Sequence, residues 1–274
     1  MRKKTNSLGR KMSEQIINLN ALEKSALTFC DASPFPYCII DNFFDKNIAH
    51  ALEKEFPQYD DPLWHQYDNL IEIKKTFNVW NQFPPLTYSV FNYLNSPEFA
   101  AIIARLFNID ALFSDPGLHG GGWHIHKTGG KLNTHLDYSI HPKLNLQRKL
   151  NLLVYLNSDW QADWGGQLGF WSHDAANHQP KDLIKQVEPV FNRAVFFDTT
   201  MNSWHGLPEP ITCPLNQHRK ALAVYYLTTV SADAELHKKA LFAPSENQKN
   251  DPEVLELIRK RASVEMAASV YKNK

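Results

Sequence analysis

Two side chains able to bind a divalent ion stand one residue apart at His135-Leu136-Asp137. On an extended strand, residues i and i+2 point to the same face, so this imidazole and carboxylate would project together. A further histidine from another strand completes a 2-His-1-carboxylate facial triad, which leaves positions on the ion open for chemistry. Alone the pair is a weak signal, because a chain with 12 histidines and 29 acidic residues contains such pairs by chance. By itself it reads better as a hydrogen-bonded couple in a core.

The surroundings change that reading. Phe196-Phe197-Asp198 is an apolar run that enters a polar turn and then presents His205 beside Gly206. Farther on, Arg219 opens an apolar strand that continues through Thr228. A guanidinium on such a strand is costly to bury unless it meets an anion, and its fork suits a carboxylate. Singly, His205 is an ordinary turn histidine and Arg219 an ordinary strand end.

The order of an HxD pair, a distal histidine and an arginine on the next strand resembles the Fe(II)/2-oxoglutarate oxygenases. Within them it resembles the prolyl 4-hydroxylase-like group. The resemblance extends to Arg148–Asn157, followed by Asp159-Trp160 and Gly165-Gly166-Gln167-Leu168, which is similar to that group's YLN…W…GG.L segment. It covers about residues 112–230.

It implies a double-stranded β-helix (jelly-roll) barrel with Fe(II) held by His135, Asp137 and His205. Arg219 would pair with the distal carboxylate of the cosubstrate 2-oxoglutarate, and Tyr155 would donate a hydrogen bond to it. Asn151 lies four residues before Tyr155, on the same strand face, and would help line that pocket. The implied reaction consumes O2, hydroxylates an amino-acid side chain, free or in a protein, and oxidatively decarboxylates 2-oxoglutarate to succinate. In related halogenases a small residue replaces the carboxylate ligand, so Asp137 favours hydroxylation over halogenation. Candidates for substrate recognition are Trp123, His126, Tyr138, Arg148, Trp164 and Trp171, with His141-Pro142-Lys143 as a lid loop.

Other readings stay open at this level. His124-Ile125-His126 also places two imidazoles on one face, as in four-ligand cupin sites, but the next glutamate is the distant Glu188. A barrel that binds a ligand without turnover, or an oxygenase acting on another small metabolite, fits as well. A zinc hydrolase is disfavoured by the absence of HExxH.

The elements that must position these residues are legible in outline. Asp45 caps a helix through about Glu55, and Ser96-Pro97 opens another through Leu106. From about residue 112, glycine pairs punctuate short apolar runs, the pattern of a β-unit with tight turns. Strands are expected at Leu150–Asn157, Gln167–Trp171, Ile184–Val190, Ala194–Asp198 and Ala221–Thr228. The fold class is mainly β with flanking helices. The expected organisation is a flexible N-terminal extension over 1–24, an oxygenase domain over 25–230 and a C-terminal helical segment over 231–274. Helical spacing in that last segment predicts a helix from Asp251 to Tyr271, packed on the barrel or offered to a homodimer partner.

Composition bounds the rest. Lysine plus arginine equals aspartate plus glutamate, 29 each, which gives no global signal for nucleic acid. Three cysteines, Cys30, Cys38 and Cys213, without CxxC spacing suit a reducing compartment. No apolar run reaches membrane-span length and the basic start lacks an apolar signal core, so a cytoplasmic location is expected.

Overall fold

Two antiparallel sheets carry the molecule. The larger runs in the order β1 (Tyr37–Ile40), β11 (Ala194–Asp198), β8 (Gln147–Tyr155), β13 (Arg219–Thr228), β5 (Gly122–His126), β3 (Glu72–Phe77) and β2 (His65–Asp68). Two short strands flank this path, β4 (Phe113–Ser114) on β13 and β6 (Lys131–Leu132) on β3. The smaller sheet runs β10 (Gln179–Val187), β9 (Leu168–Asp174), β12 (His205–Gly206), β7 (His135–Leu136) and β14 (Leu241–Phe242). This computed structural model describes residues 16–200, 202–232, 234, 237–266 and 270. The jelly-roll expectation holds, and four of the five expected strands recur with shifted ends while Ala194–Asp198 recurs as read.

Period-two alternation gives the larger sheet two unlike faces. Trp123, Ile125, Leu150, Leu152, Val154, Leu222, Val224 and Tyr226 form one face, buried in the main core. Helices α1 (Leu19–Ala26), α2 (Lys46–Glu55), α3 (Pro85–Leu94) and α4 (Pro97–Leu106) cover it with Leu22, Leu52, Phe91, Phe99 and Ile103. Asp45 caps α2 by accepting from the Asn47 and Ile48 amides, and Ser96 caps α4 by accepting from the Phe99 amide. The opposite face of the same strands looks toward the smaller sheet.

Both ends of the chain differ from expectation. The extension expected over 1–24 includes core residues: Asn18 caps α1, and Ile17, Leu19 and Leu22 are buried against the barrel. Residues 1–15 lie outside the described residues. The segment 231–274 is not purely helical, because Leu241-Phe242 pairs with Leu136-His135 as an edge strand. The last helix, α5 (Pro252–Ala262), ends nine residues before Tyr271, which lies outside the described residues. Its Val254, Leu257 and Ile258 pack on Ile71 and Phe242, so the apolar stripe is covered within the chain. Among the described residues no helix is long and apolar enough to cross a membrane.

Candidate active site

Sheet pairing brings the two distant histidines together. His205 of β12 sits directly opposite His135 of β7, with Phe170 beyond one and Phe242 beyond the other. The two imidazole centroids are 4.3 Å apart. Strand β7 stops at Leu136, yet Asp137 still turns inward. One ligand atom from each of His135, Asp137 and His205 lies within 4.8 Å of the others, and all three residues are buried. This trio is the grouping of metal-capable side chains found among the described residues, and neither His124 nor His126 belongs to it. The four-ligand cupin alternative is thereby corrected.

The local chemistry prepares these atoms for a cation. The Nδ1 atoms of His135 and His205 face the carbonyls of Asn133 at 3.0 Å and Ser203 at 2.8 Å. A carbonyl only accepts, so in each neutral ring Nδ1 carries the proton and Nε2 keeps its lone pair. Burial, with His205 beside it, pulls His135 down to about 3, and burial also lowers His205. Both rings therefore stay neutral and able to ligate. Asp137 is pushed up by burial, but the Arg148 guanidinium, together with His205, His135 and Lys74, outweighs this and holds it below its ordinary value. Its Oδ1 is 3.3 Å from the guanidinium, while Oδ2 has no hydrogen-bond partner. Two free imidazole nitrogens and an unpaired anionic oxygen fit a divalent first-row metal such as Fe(II). Gly206 is required beside His205, since a Cβ there would lie 2.8 Å from the Leu132 carbonyl oxygen.

The trio opens into a cavity of about 640 Å³, whose walls include Asn151, Arg219, Tyr225, Tyr138 and Arg148. Arg219 is buried at the start of β13, donates Nε–H to the Gly166 carbonyl at 2.7 Å, and has no carboxylate within ion-pair distance among the described residues. Gly166 has φ +80°, and a Cβ there would come within 2.9 Å of the arginine side chain, which explains the glycine physically. Tyr155 lies under the guanidinium, 4.9 Å from its ring centroid, with a hydroxyl that makes no hydrogen bond of ordinary geometry. The cavity's carboxylates, Glu72 and Asp137, already face Arg261 and Arg148 respectively. A buried guanidinium that faces no carboxylate, with the Tyr155 hydroxyl beside it, fits the carboxylate of a dicarboxylic keto acid.

Arg148 reaches this cavity because β8 carries a bulge. Alternation alone would place it with Leu150 and Leu152 on the core face. The register instead pairs Leu150 with Tyr226 but Arg148 with Leu227, so Lys149 is the extra residue and Arg148 turns to the other face. There its guanidinium is sandwiched between the rings of Tyr138 at 3.6 Å and Tyr225 at 3.4 Å. It also donates to the His119 carbonyl at 2.7 Å and to the Tyr138 hydroxyl.

Three aromatic candidates lie elsewhere. Trp123 is fully buried on the core face among Phe56, Phe77 and Phe83, because it alternates with His124. Trp171 packs with Leu136, Trp204 and Ala243 on the side of the smaller sheet away from the cavity. Trp164 joins Trp160, Leu207 and Ile211. The His141-Pro142-Lys143 segment is tied down: buried His141 accepts from the Lys143 and Leu144 amides and lies 3.4 Å from Asp115. Sequence reasoning missed Lys74, Tyr225, Phe242 and Arg261 among the cavity walls. Tyr225 shares the parity of Arg219 along β13 and was accessible to that rule. Phe242 and Arg261 come from a segment with no local signal of its role.

Residues 121–229 match the model of the 2OG-Fe(II) oxygenase superfamily. A Mus musculus protein described as prolyl 3-hydroxylase OGFOD1 is 25% identical over 183 residues, covering 66% of this chain. The chain spans 31% of that relative's length. A prolyl 4-hydroxylase structure from Phytophthora capsici superposes with TM-score 0.52 at 18% identity, covering 93% of this chain and 76% of that one. A Trichoplax adhaerens prolyl hydroxylase, in complex with a hypoxia inducible factor peptide fragment, gives TM-score 0.50 at 16% identity, covering 75% and 89% respectively. These structural likenesses establish the jelly-roll fold, and the segment 121–229 within it is similar to the 2OG-Fe(II) oxygenase superfamily.

Proposed function

We propose that the protein is an Fe(II)- and 2-oxoglutarate-dependent dioxygenase that hydroxylates an amino-acid side chain, proline or one like it, within a peptide or protein. The observation that carries this reading is the convergence of His135, Asp137 and His205 on a cavity that also holds a buried Arg219 facing no carboxylate among the described residues. Support for the substrate class comes from the similarity to the mouse prolyl 3-hydroxylase. Three cysteines without disulfides suit the cytoplasm, where we place it.

Each residue has a role that its geometry can perform. His135, Asp137 and His205 would hold the metal at the wall of the cavity. Fe(II) with 2-oxoglutarate supplies the dioxygen activation and hydrogen abstraction that hydroxylation needs. Arg148 keeps Asp137 anionic and occupies its Oδ1, leaving Oδ2 for the metal. Arg219 and Tyr155 receive the distal carboxylate, with Asn151 lining the same pocket. Tyr138 and Arg148 form the wall past which a substrate side chain would reach the metal. Burial of the trio limits water at the reacting position.

The test is succinate formation from 2-oxoglutarate under air with Fe(II), alone and with proline or proline-containing peptides, followed by mass spectrometry for one added oxygen. Succinate from the wild type and none from His135→Ala is expected. A folded, iron-loaded wild type that forms no succinate under any of these conditions overturns the reading.

A further inference from the structure

We propose that His126 is a further anchor for 2-oxoglutarate, donating a hydrogen bond to the carboxylate that Arg219 and Tyr155 receive. This rests on the oxygenase reading above and extends it. His126 ends β5 and Arg219 begins β13, and the two are directly paired in antiparallel register. Cross-strand partners project from the same face as near neighbours, so both side chains enter the cavity together. Both line it.

His126 is only 3% exposed, yet neither ring nitrogen has a hydrogen-bond partner. A buried polar ring with both nitrogens unpaired calls for an explanation such as a bound group. The charges acting on it indicate what kind of group. Burial first, then Arg219, Lys74 and His124, hold His126 well below its ordinary value. The ring is therefore neutral, with one N–H to donate, in a cationic setting. A carboxylate beside Arg219 would answer the guanidinium and accept that N–H at once. A cation would meet repulsion, and an alkyl group would leave the nitrogens unpaired. Arg219 and Tyr155 hold the carboxylate from β13 and β8, and a donor on β5 adds a contact from the neighbouring strand that fixes its position and the length of keto acid accepted.

Anaerobic titration of the full Fe(II)-loaded chain, followed through the visible metal-to-ligand charge-transfer band, tests this with 2-oxoglutarate and pyruvate as probes. Pyruvate chelates through the same keto-acid end but lacks the second carboxylate. His126→Phe keeps ring volume and removes the donor; it should weaken 2-oxoglutarate binding about 10-fold, the effect of losing one hydrogen bond to a charged group. Pyruvate and Mn(II) affinity should not change, and His126→Gln, which retains an N–H, should recover most of the loss. Unchanged 2-oxoglutarate affinity in His126→Phe, or an equal loss for both keto acids, overturns the inference while leaving the oxygenase reading intact. No band in the folded wild type overturns the oxygenase reading itself and this inference with it.

Discussion

The two faces of the larger sheet are built from alternate residues of the same strands and differ in almost every physical respect. On one face Trp123 meets Phe56, Trp64, Phe77 and Phe83 in a continuous aromatic core. On the other, one residue away, stand His126, Arg148, Asn151 and Arg219, buried as deeply but with several polar atoms unpaired. Equal burial therefore does not mean equal purpose. The apolar face contributes the stability that lets the polar face hold imidazoles and guanidinium groups out of water.

That division predicts separable mutational effects. The largest belongs to the core face: Trp123→Ala should cost about 3–5 kcal/mol of stability in denaturant unfolding. If this variant kept wild-type stability but lost cosubstrate binding, the division between the faces would be wrong. Next comes Arg219→Ala, which should weaken 2-oxoglutarate binding on the order of 100-fold in the anaerobic titration. Its metal-free unfolding midpoint should hold or rise, since it removes a buried, unpaired charge.

Arg148→Met tests the bulge. The unbranched chain can fill the slot between Tyr138 and Tyr225 while releasing Asp137, and Mn(II) affinity measured by calorimetry should fall roughly 10-fold or more. An unchanged affinity would show that Asp137 needs no help from the sandwich.

The smallest expected effect is in pH dependence. The folded pKa of His126 is lowered, so its contribution is fully present above the unfolded value of 6.5 and is lost as pH falls toward the folded value. Over that window the unfolded chain binds the extra proton. His126→Phe should therefore make the acid limb of stability shallower by about 1.4 kcal/mol per pH unit, read from urea midpoints between about pH 5 and 7. An unaltered limb would mean that the ring is already protonated in the folded protein.

The period-two rule and the turn glycines were enough to place His135 and Asp137 on one side, to mark His205 beside Gly206, and to put Asn151 and Tyr155 on a shared strand face. Those are relations between residues a few positions apart, which backbone geometry dictates wherever a strand forms. Trp123 was misread because the face on which β5 buries its odd-numbered side chains depends on the helices that pack there. Arg148 reached the cavity only through an extra residue at Lys149, a register shift between β8 and β13 that alternation cannot foresee. The stacking of Phe242 on His135, with ring centroids 5.0 Å apart, was equally hidden, because it joins a segment after the barrel to a strand within it. By itself, then, the sequence determined the fold class, the three residues that converge as a candidate metal site and the arginine near them. Tertiary structure decided which buried polar groups are left unpaired and which aromatics face the cavity, because those depend on strand register and packing between segments far apart in the chain.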